Sequence, residues 1–226
     1  MCISCRGLLI TEGSIAAVTA VLKSLLGNCL VAVANRIGIG EVNMTALPPD
    51  RLATSADERS QLNIFMYRIG AFSALTKNAP PPMQAIKHSS GNAGCPSAPL
   101  LVELSYLITA YAAEEFHSEI LLGAVMQLLH ETPVLTPEKI RGALEPLSAK
   151  GNRVHSDSLK AAIAASDLAN QVQQVKIAPQ FLSFEDMSKL WSALQARYRP
   201  SMCYQVSAVM IGGHAATLKR TESRSA

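Results

Sequence analysis

The sequence predicts an α+β domain: a mixed, largely antiparallel sheet of about five strands, covered by three to four helices. Three observations predict it. Five short segments carry β-favouring residues, several with one apolar face at period two. Between them lie amphipathic stretches at helical spacing. The chain has 226 residues, which suits one domain and buries roughly 70% of the unfolded surface. Helices on one side of a sheet are the simplest way to bury such faces, leaving the other face and the edges for partners or loops.

Residues 1–13 read as a short lead. Ser14 is placed to cap a helix through its hydroxyl. Ile15, Val18, Leu22, Leu25, Leu26 and Cys29 follow on one helical face, and Gly38 and Gly40 end the region. Val42 to Ala46 alternates apolar and polar before Pro48-Pro49 stops it. Leu62 to Ile69 is a second strand, rich in Ile64, Phe65, Tyr67 and Ile69. A third starts at Leu100, with Leu100, Val102, Leu104, Tyr106 and Ile108 on one face and Glu103, Ser105 and Thr109 on the other. This pattern predicts a half-buried strand. The connection from Thr76 to Pro99 holds Pro80-Pro81-Pro82 and Ser89-Ser90-Gly91. It is longer than an ordinary loop, and reads as a flexible contact arm or a tolerated insertion.

A second helix is expected from Glu114 to His130, with acidic residues towards its start, His130 at its end and Pro133 beyond. Thr136 and Pro137 open a short third one. Residues 148–166 fit an Ala-rich helix or a loop. Val172 to Ala178 is a fourth strand. Ser183 begins a capping-box pattern, and Met187, Leu190, Trp191 and Leu194 follow on one helical face. The last strand sets Met202, Tyr204, Val206, Ala208 and Met210 against Ser201, Cys203, Gln205 and Ser207. Gly212-Gly213 leads to a polar tail, residues 212–226.

Composition narrows the function. Charged residues are 16%, against a usual ~25%, while 49% are apolar. So few charges leave apolar surface for partners to cover. A net charge of +3 and 5% aromatics argue against a nucleic-acid binder. The longest apolar stretch begins at Ile15 and is interrupted by Lys23 and Gly27-Asn28, so no membrane-inserting segment is expected. Thr11-Glu12-Gly13 stands where a signal peptide would be apolar. Five scattered cysteines do not make a disulfide framework, which fits a reducing cytoplasm.

Catalytic and metal motifs fail on inspection. Cys2-x-x-Cys5 lacks a second ligand pair for zinc. Gly38-x-Gly40 has Asn43 where a dinucleotide loop needs its third glycine. Gly91-Asn92-Ala93-Gly94 lacks the Lys-Ser/Thr of a phosphate loop. His130-Glu131 has Val134 where a zinc protease needs its second histidine. His155-x-Asp157 has no third ligand in view. No serine stands in an esterase elbow. No catalytic, metal or cofactor site is expected. Trp191 reads as core on its helix face, and Tyr198, between Arg197 and Arg199, as either core or interface anchor.

Three ordered blocks carry a family resemblance. They are Gln61-Leu62-Asn63-Ile64-Phe65-Met66-Tyr67, then Pro99 to Tyr111 (PLLVELSYLITAY), then Leu182-Ser183 through Lys189-Leu190-Trp191-Ser192-Ala193-Leu194 to Tyr198-Arg199-Pro200-Ser201. Leu121 to Leu135, with His130 and Pro133-Val134-Leu135, adds a middle helix and its exit. The set resembles the N-terminal domain of cap, or tail-terminator, proteins of phage-tail-like extracellular contractile injection systems, of the antifeeding prophage and Photorhabdus virulence cassette type. It covers most of residues 14–211.

The resemblance implies a tail-terminator-like fold and a non-enzymatic cap without cofactor. Such a cap forms a homohexameric ring that closes the distal end of the particle, ends tube and sheath polymerisation, and joins the last tube and sheath rings. Its partners would be itself, the sheath protein and the inner tube or a tube-terminating protein. Assembly would occur in the bacterial cytoplasm, on a particle later released or held at a membrane. Leu62, Asn63, Phe65, Tyr67, Leu104, Tyr106, Trp191, Tyr198, Pro200 and Tyr204 stand in the family-like blocks or the strand that follows. Arg197, Tyr198, Arg199, Lys219 and Arg220 are the interface candidates. Residues 1–13 and the Ser89–Gly94 stretch depart from the pattern, and there is little room for the C-terminal segment of some relatives. A terminator of a contractile-tailed phage is the alternative, and a small cytosolic enzyme a third reading from another class. A sheath grows by leaving strand-pairing groups exposed at its end, which a cap with free strand edges and arms could occupy.

Overall fold

The computed structural model describes residues 13–52, 60–71, 100–148 and 175–211. In chain order they form α1 (Ser14–Ile37), β1 (Asn43–Thr45), a 3-10 turn (Pro49–Arg51), β2 (Gln61–Ala71) and β3 (Leu100–Tyr111). Then come α2 (His117–Glu131), β4 (Val134–Leu135), α3 (Pro137–Ser148), β5 (Val175–Gln180), α4 (Phe184–Ala193) and β6 (Ser201–Ile211). The strands make one six-stranded mixed sheet, ordered β1-β2-β3-β6-β5-β4. Only β1 and β2 run parallel; every other neighbouring pair is antiparallel.

The α+β class stands, with one strand more than the five read from the sequence. The extra strand, β4, is two residues long, too short to show a period. It is held by pairing with Val175 and Lys176, and by the Ile177 N–H donating to the Pro133 carbonyl at 2.8 Å.

The opening helix is longer and less interrupted than expected. α1 runs through Lys23 and Gly27-Asn28 to a left-handed glycine at Gly38, φ 73°, whose N–H closes on the Ala34 carbonyl. By length and composition α1 could cross a membrane. Here it packs as a core helix, with Ala17, Val18, Val21, Leu22, Leu26 and Leu30 buried. Lys23 tolerates this because it is only half-buried, and burial lowers its ammonium pKa. Ser14 does not cap the helix. Gly13 is the N-cap residue; Ser14 is already helical and its hydroxyl is buried without a hydrogen-bond partner. Similarly, Glu114 and Glu115 precede α2, which starts at His117 behind a left-handed Phe116.

One sheet face carries Leu62, Ile64, Val102, Leu104, Tyr106, Ile108, Tyr204, Val206, Val175 and Ile177, packed under α1, α2 and α3. The opposite face is not left open, contrary to the one-sided arrangement expected. There α4 lays Met187 and Trp191 over Leu107 and Cys203, with Tyr67, Leu182, Leu190 and Leu194 around them. β3 is therefore buried on both faces. Ser105 and Thr109, read as a solvent-facing row, lie inside. The cover of α4 over that face, on a strand central between β2 and β6, decides this rather than the polarity of the row.

Two bulges re-aim side chains. In β2 the register shifts between Met66 and Arg68. In β6, Val206 faces Leu104 while Val209 faces Val102, so the strand holds one extra residue there. Val209 lies in the core, at the position that simple alternation from Tyr204 and Val206 would assign to the residue before it.

Two phenols are tied into these layers. Tyr106 is buried and shares a 2.8 Å hydrogen bond with the Thr19 hydroxyl of α1. Burial pushes its pKa up to about 12, against the lowering effect of Thr19. Burial, reinforced by the neighbouring Cys203 thiol, pushes Tyr67 up to about 12 as well. An unfolded tyrosine ionises near ~10. Above that pH the unfolded chain sheds protons that the native state keeps. The stability from these phenols is complete below pH ~10 and is lost as the pH rises through the native values. Denaturant midpoints should therefore fall between about pH 9 and about pH 11, with phenolate absorbance delayed until unfolding. Equal midpoints with early phenolate absorbance would contradict the burial.

Candidate interaction surface

The residues of the family-like blocks divide into three groups. Leu62, Leu104, Tyr106 and Tyr204 belong to the core under the helices. Asn63 points to the other face and is completely buried. Its Nδ2 donates to the Leu47 carbonyl at 2.9 Å, while its Oδ1 accepts from the Leu47 N–H at 3.0 Å and from the Thr45 hydroxyl at 2.9 Å. The amide thus substitutes for a strand pair and clamps the chain leaving β1. Phe65 is half-buried on β2. The Tyr67 hydroxyl reaches across β3 and β6 to donate to Gln180 Oε1 at 3.2 Å.

The third group is built around α4. Ser183 caps the helix: its Oγ accepts from the Asp186 N–H at 3.1 Å and donates to the Asp186 carboxylate at 2.7 Å. This fixes the entry angle of α4 and turns Trp191 into the sheet. The Trp191 indole N–H donates to the Ser201 hydroxyl at 3.2 Å. Tyr198 returns over the outside, its ring 6.1 Å from Trp191 and 6.0 Å from Phe184, tilted to both. Arg199 lies over the Tyr111 ring at 4.7 Å, a cation–π contact. Arg197 and Pro200 are exposed. Lys219 and Arg220 lie outside the described residues, as do the 76–99 connection and the 212–226 tail.

Sequence reading missed Phe181 and Phe184, which flank Leu182-Ser183 and are the most exposed large apolar side chains described, and Phe116. The signal for the first two was partial: phenylalanines stand on either side of a helix cap, but Phe184 shares the helical spacing of Met187 and Trp191, which hides its exposure. Nothing in the sequence marked Phe116, whose backbone is left-handed at φ 65°.

Backbone groups are also on offer. β1 pairs only with Gln61 to Asn63, so the outer edge of β2 from Ile64 to Ala71 has no strand partner among the described residues. Cys203 is buried, and burial pushes its thiol pKa up, which disfavours the reactive thiolate. Among the described residues no group of three or more His, Cys, Asp and Glu could hold a metal. His130 and Glu131 sit exposed at the end of α2, and Gly38 and Gly40 are left-handed positions after α1. The Cys2–Cys5 pair, Gly91–Gly94, His155 and Asp157 lie outside the described residues.

Among the described residues, then, the fold is an α+β sheet with three helices on one face, a fourth on the other and a stretch of β2 edge without a strand partner. The chain belongs to the Pvc16 N-terminal domain family, whose model matches residues 17–222. Among solved structures it is similar to the sheath/tube terminator, in the extended state, of the extracellular contractile injection system PVC. The identity is 16% over 89% of this chain and 64% of that one, with a TM-score of 0.43. It is also similar to the anti-feeding prophage cap, the AFP tube terminating cap, at 16% identity over 87% of this chain and 59% of that one, TM-score 0.33. The chain thus spans less than two thirds of either. No curated protein matches it in sequence.

Proposed function

We propose that the chain is a structural cap, a tail terminator of a contractile injection particle. It closes the distal end, stops tube and sheath polymerisation and joins the last ring of each. Membership of the Pvc16 N-terminal domain family over residues 17–222 carries this reading. Residues 14–211 act as a single cap domain, assembled as a homohexameric ring. The partners are further copies, the sheath protein and the inner tube or a tube-terminating protein, without nucleic acid, membrane insertion or catalysis. Assembly takes place in the bacterial cytoplasm. Ring formation supplies cover for the apolar surface of a chain with few charges.

The edge of β2 that has no strand partner among the described residues supports strand addition as the means of stopping a polymer, since an exposed ladder edge accepts an extended segment by backbone hydrogen bonds. The 212–226 tail and the 76–99 connection are the candidate arms that reach the sheath, with Lys219 and Arg220 on the first. Removing the whole chain should give particles of uncontrolled length in electron micrographs, and removing the operative arm should reproduce this. Normal lengths without the chain would overturn the cap role. Normal lengths after both arm deletions would overturn the arms alone.

A further inference from the structure

Four aromatic rings are exposed among the described residues: Phe181 at 80%, Phe184 at 77%, Phe116 at 69% and Tyr198 at 50%. Strand register puts all four at one end of the sheet. Gln61 pairs with Tyr111, Ser201 with Thr109 and Gln180 with Cys203, so β3 and β5 leave the sheet where β6 enters it. Phe116 follows β3 by five positions; Phe181 directly follows β5, and Tyr198 shortly precedes β6.

The rims of this end carry opposite charge. Glu114, Glu115 and Glu119 are exposed around Phe116, with Glu114 held 3.3 Å from His117. On the Phe184–Tyr198 side stand exposed Arg197, half-buried Arg199 and Lys189, against Glu185, which pairs with Lys189 at 2.6 Å, and exposed Asp186, leaving a balance of one positive charge. Aromatic residues and arginines of this kind are the usual anchors of protein interfaces. A strongly acidic apolar half and a weakly basic apolar half on one chain complement each other between copies.

Resting on the self-assembling reading above, we infer that a second copy of this chain docks here. The half built on Phe116 and its glutamates meets the half built on Phe184, Tyr198 and Arg197 in the neighbouring copy. The backbone of Phe116 agrees with this. At φ 65° it holds a conformation that glycine adopts freely and phenylalanine does not, yet its ring stays mostly in solvent. The strain is spent on presenting the ring outward.

Sedimentation velocity of the full chain over a range of concentrations tests the interface. Glu115→Arg and Arg197→Glu, both exposed positions, should each weaken self-association by about tenfold. The double reversal should recover most of the loss. Phe116→Gly should raise the unfolding midpoint while weakening association, which separates lost docking from damaged folding. Single reversals that associate like the unaltered chain, a double that recovers nothing, or a chain monomeric throughout would overturn the interface. Particle length in cells lacking the chain reads the cap role separately. Lengths that become uncontrolled without the chain, alongside reversals that change nothing, reject this interface and leave the cap standing.

Discussion

Asn63→Ala should lower the unfolding free energy by about 3 kcal/mol, because it removes three hydrogen bonds made by a side chain that is itself closed to water. The loss is larger than for an average polar contact. The Leu47 N–H and carbonyl are both left without the partner that satisfies them, and β1 has only three residues of parallel pairing to stay on the sheet. Asn63→Asp should not recover the loss. It keeps an acceptor but offers no N–H to the Leu47 carbonyl, and it places a carboxylate where solvent does not reach. Thr45→Val deletes the hydroxyl that donates to Asn63 Oδ1 at 2.9 Å and lies 3.5 Å from the Leu62 carbonyl, and should cost about 1 kcal/mol. Urea denaturation of the three variants measures the series. If Asn63→Ala and Thr45→Val lose the same small amount, the clamp contributes little.

Trp191→Ala should cost about 4 kcal/mol, within the range for large aromatic truncations in cores. Trp191 is nearly sealed against Leu107 and Cys203, and its indole N–H is bonded to Ser201. Removing it opens a cavity between α4 and the sheet, and it also takes away one of the two rings that position Tyr198. Trp191→Phe should keep roughly half of the stability, since it restores apolar volume without the donor. Thermal unfolding gives the magnitude. Protection of α4 amides in hydrogen exchange shows whether that layer loosens before the rest. Unchanged protection in Trp191→Ala would mean that α4 is held by its cap and neighbours alone.

The sheet was legible where side-chain alternation is strict. Val102, Leu104, Tyr106 and Ile108 on β3, and Met202, Tyr204 and Val206 on β6, read from sequence as they fold. The Ser183 cap and the Met187–Trp191 face were equally plain, because local spacing determines both. What was not legible depends on contacts distant in sequence. Ser105 and Thr109 look like a wet row until α4, some eighty residues later, comes to cover that face. The β6 bulge has no marker, since Ala208 and Val209 suit either face. Asn63 could be placed in a motif but not in a role, because its partners Leu47 and Thr45 are loop and edge residues. Ser14 was misassigned because its residue type fits a cap and only the backbone reveals that Gly13 occupies the position. Among surface rings, Tyr198 was visible beside its arginines, whereas the exposure of Phe116 is set by a backbone angle.

The greasy character of α1 carries a consequence for biosynthesis. This helix leaves the ribosome well before β6, which forms part of its bed and whose buried Val209 comes 172 residues after Ile37. At a synthesis rate of ~5–20 residues per second, the helix waits roughly ten to thirty seconds for the last wall of its burial site. Over that interval a span apolar enough for a bilayer is exposed to every chaperone and targeting factor that binds such helices. Yield of the finished domain therefore depends on how the cell shelters α1 during translation, as well as on how stable the completed sheet is.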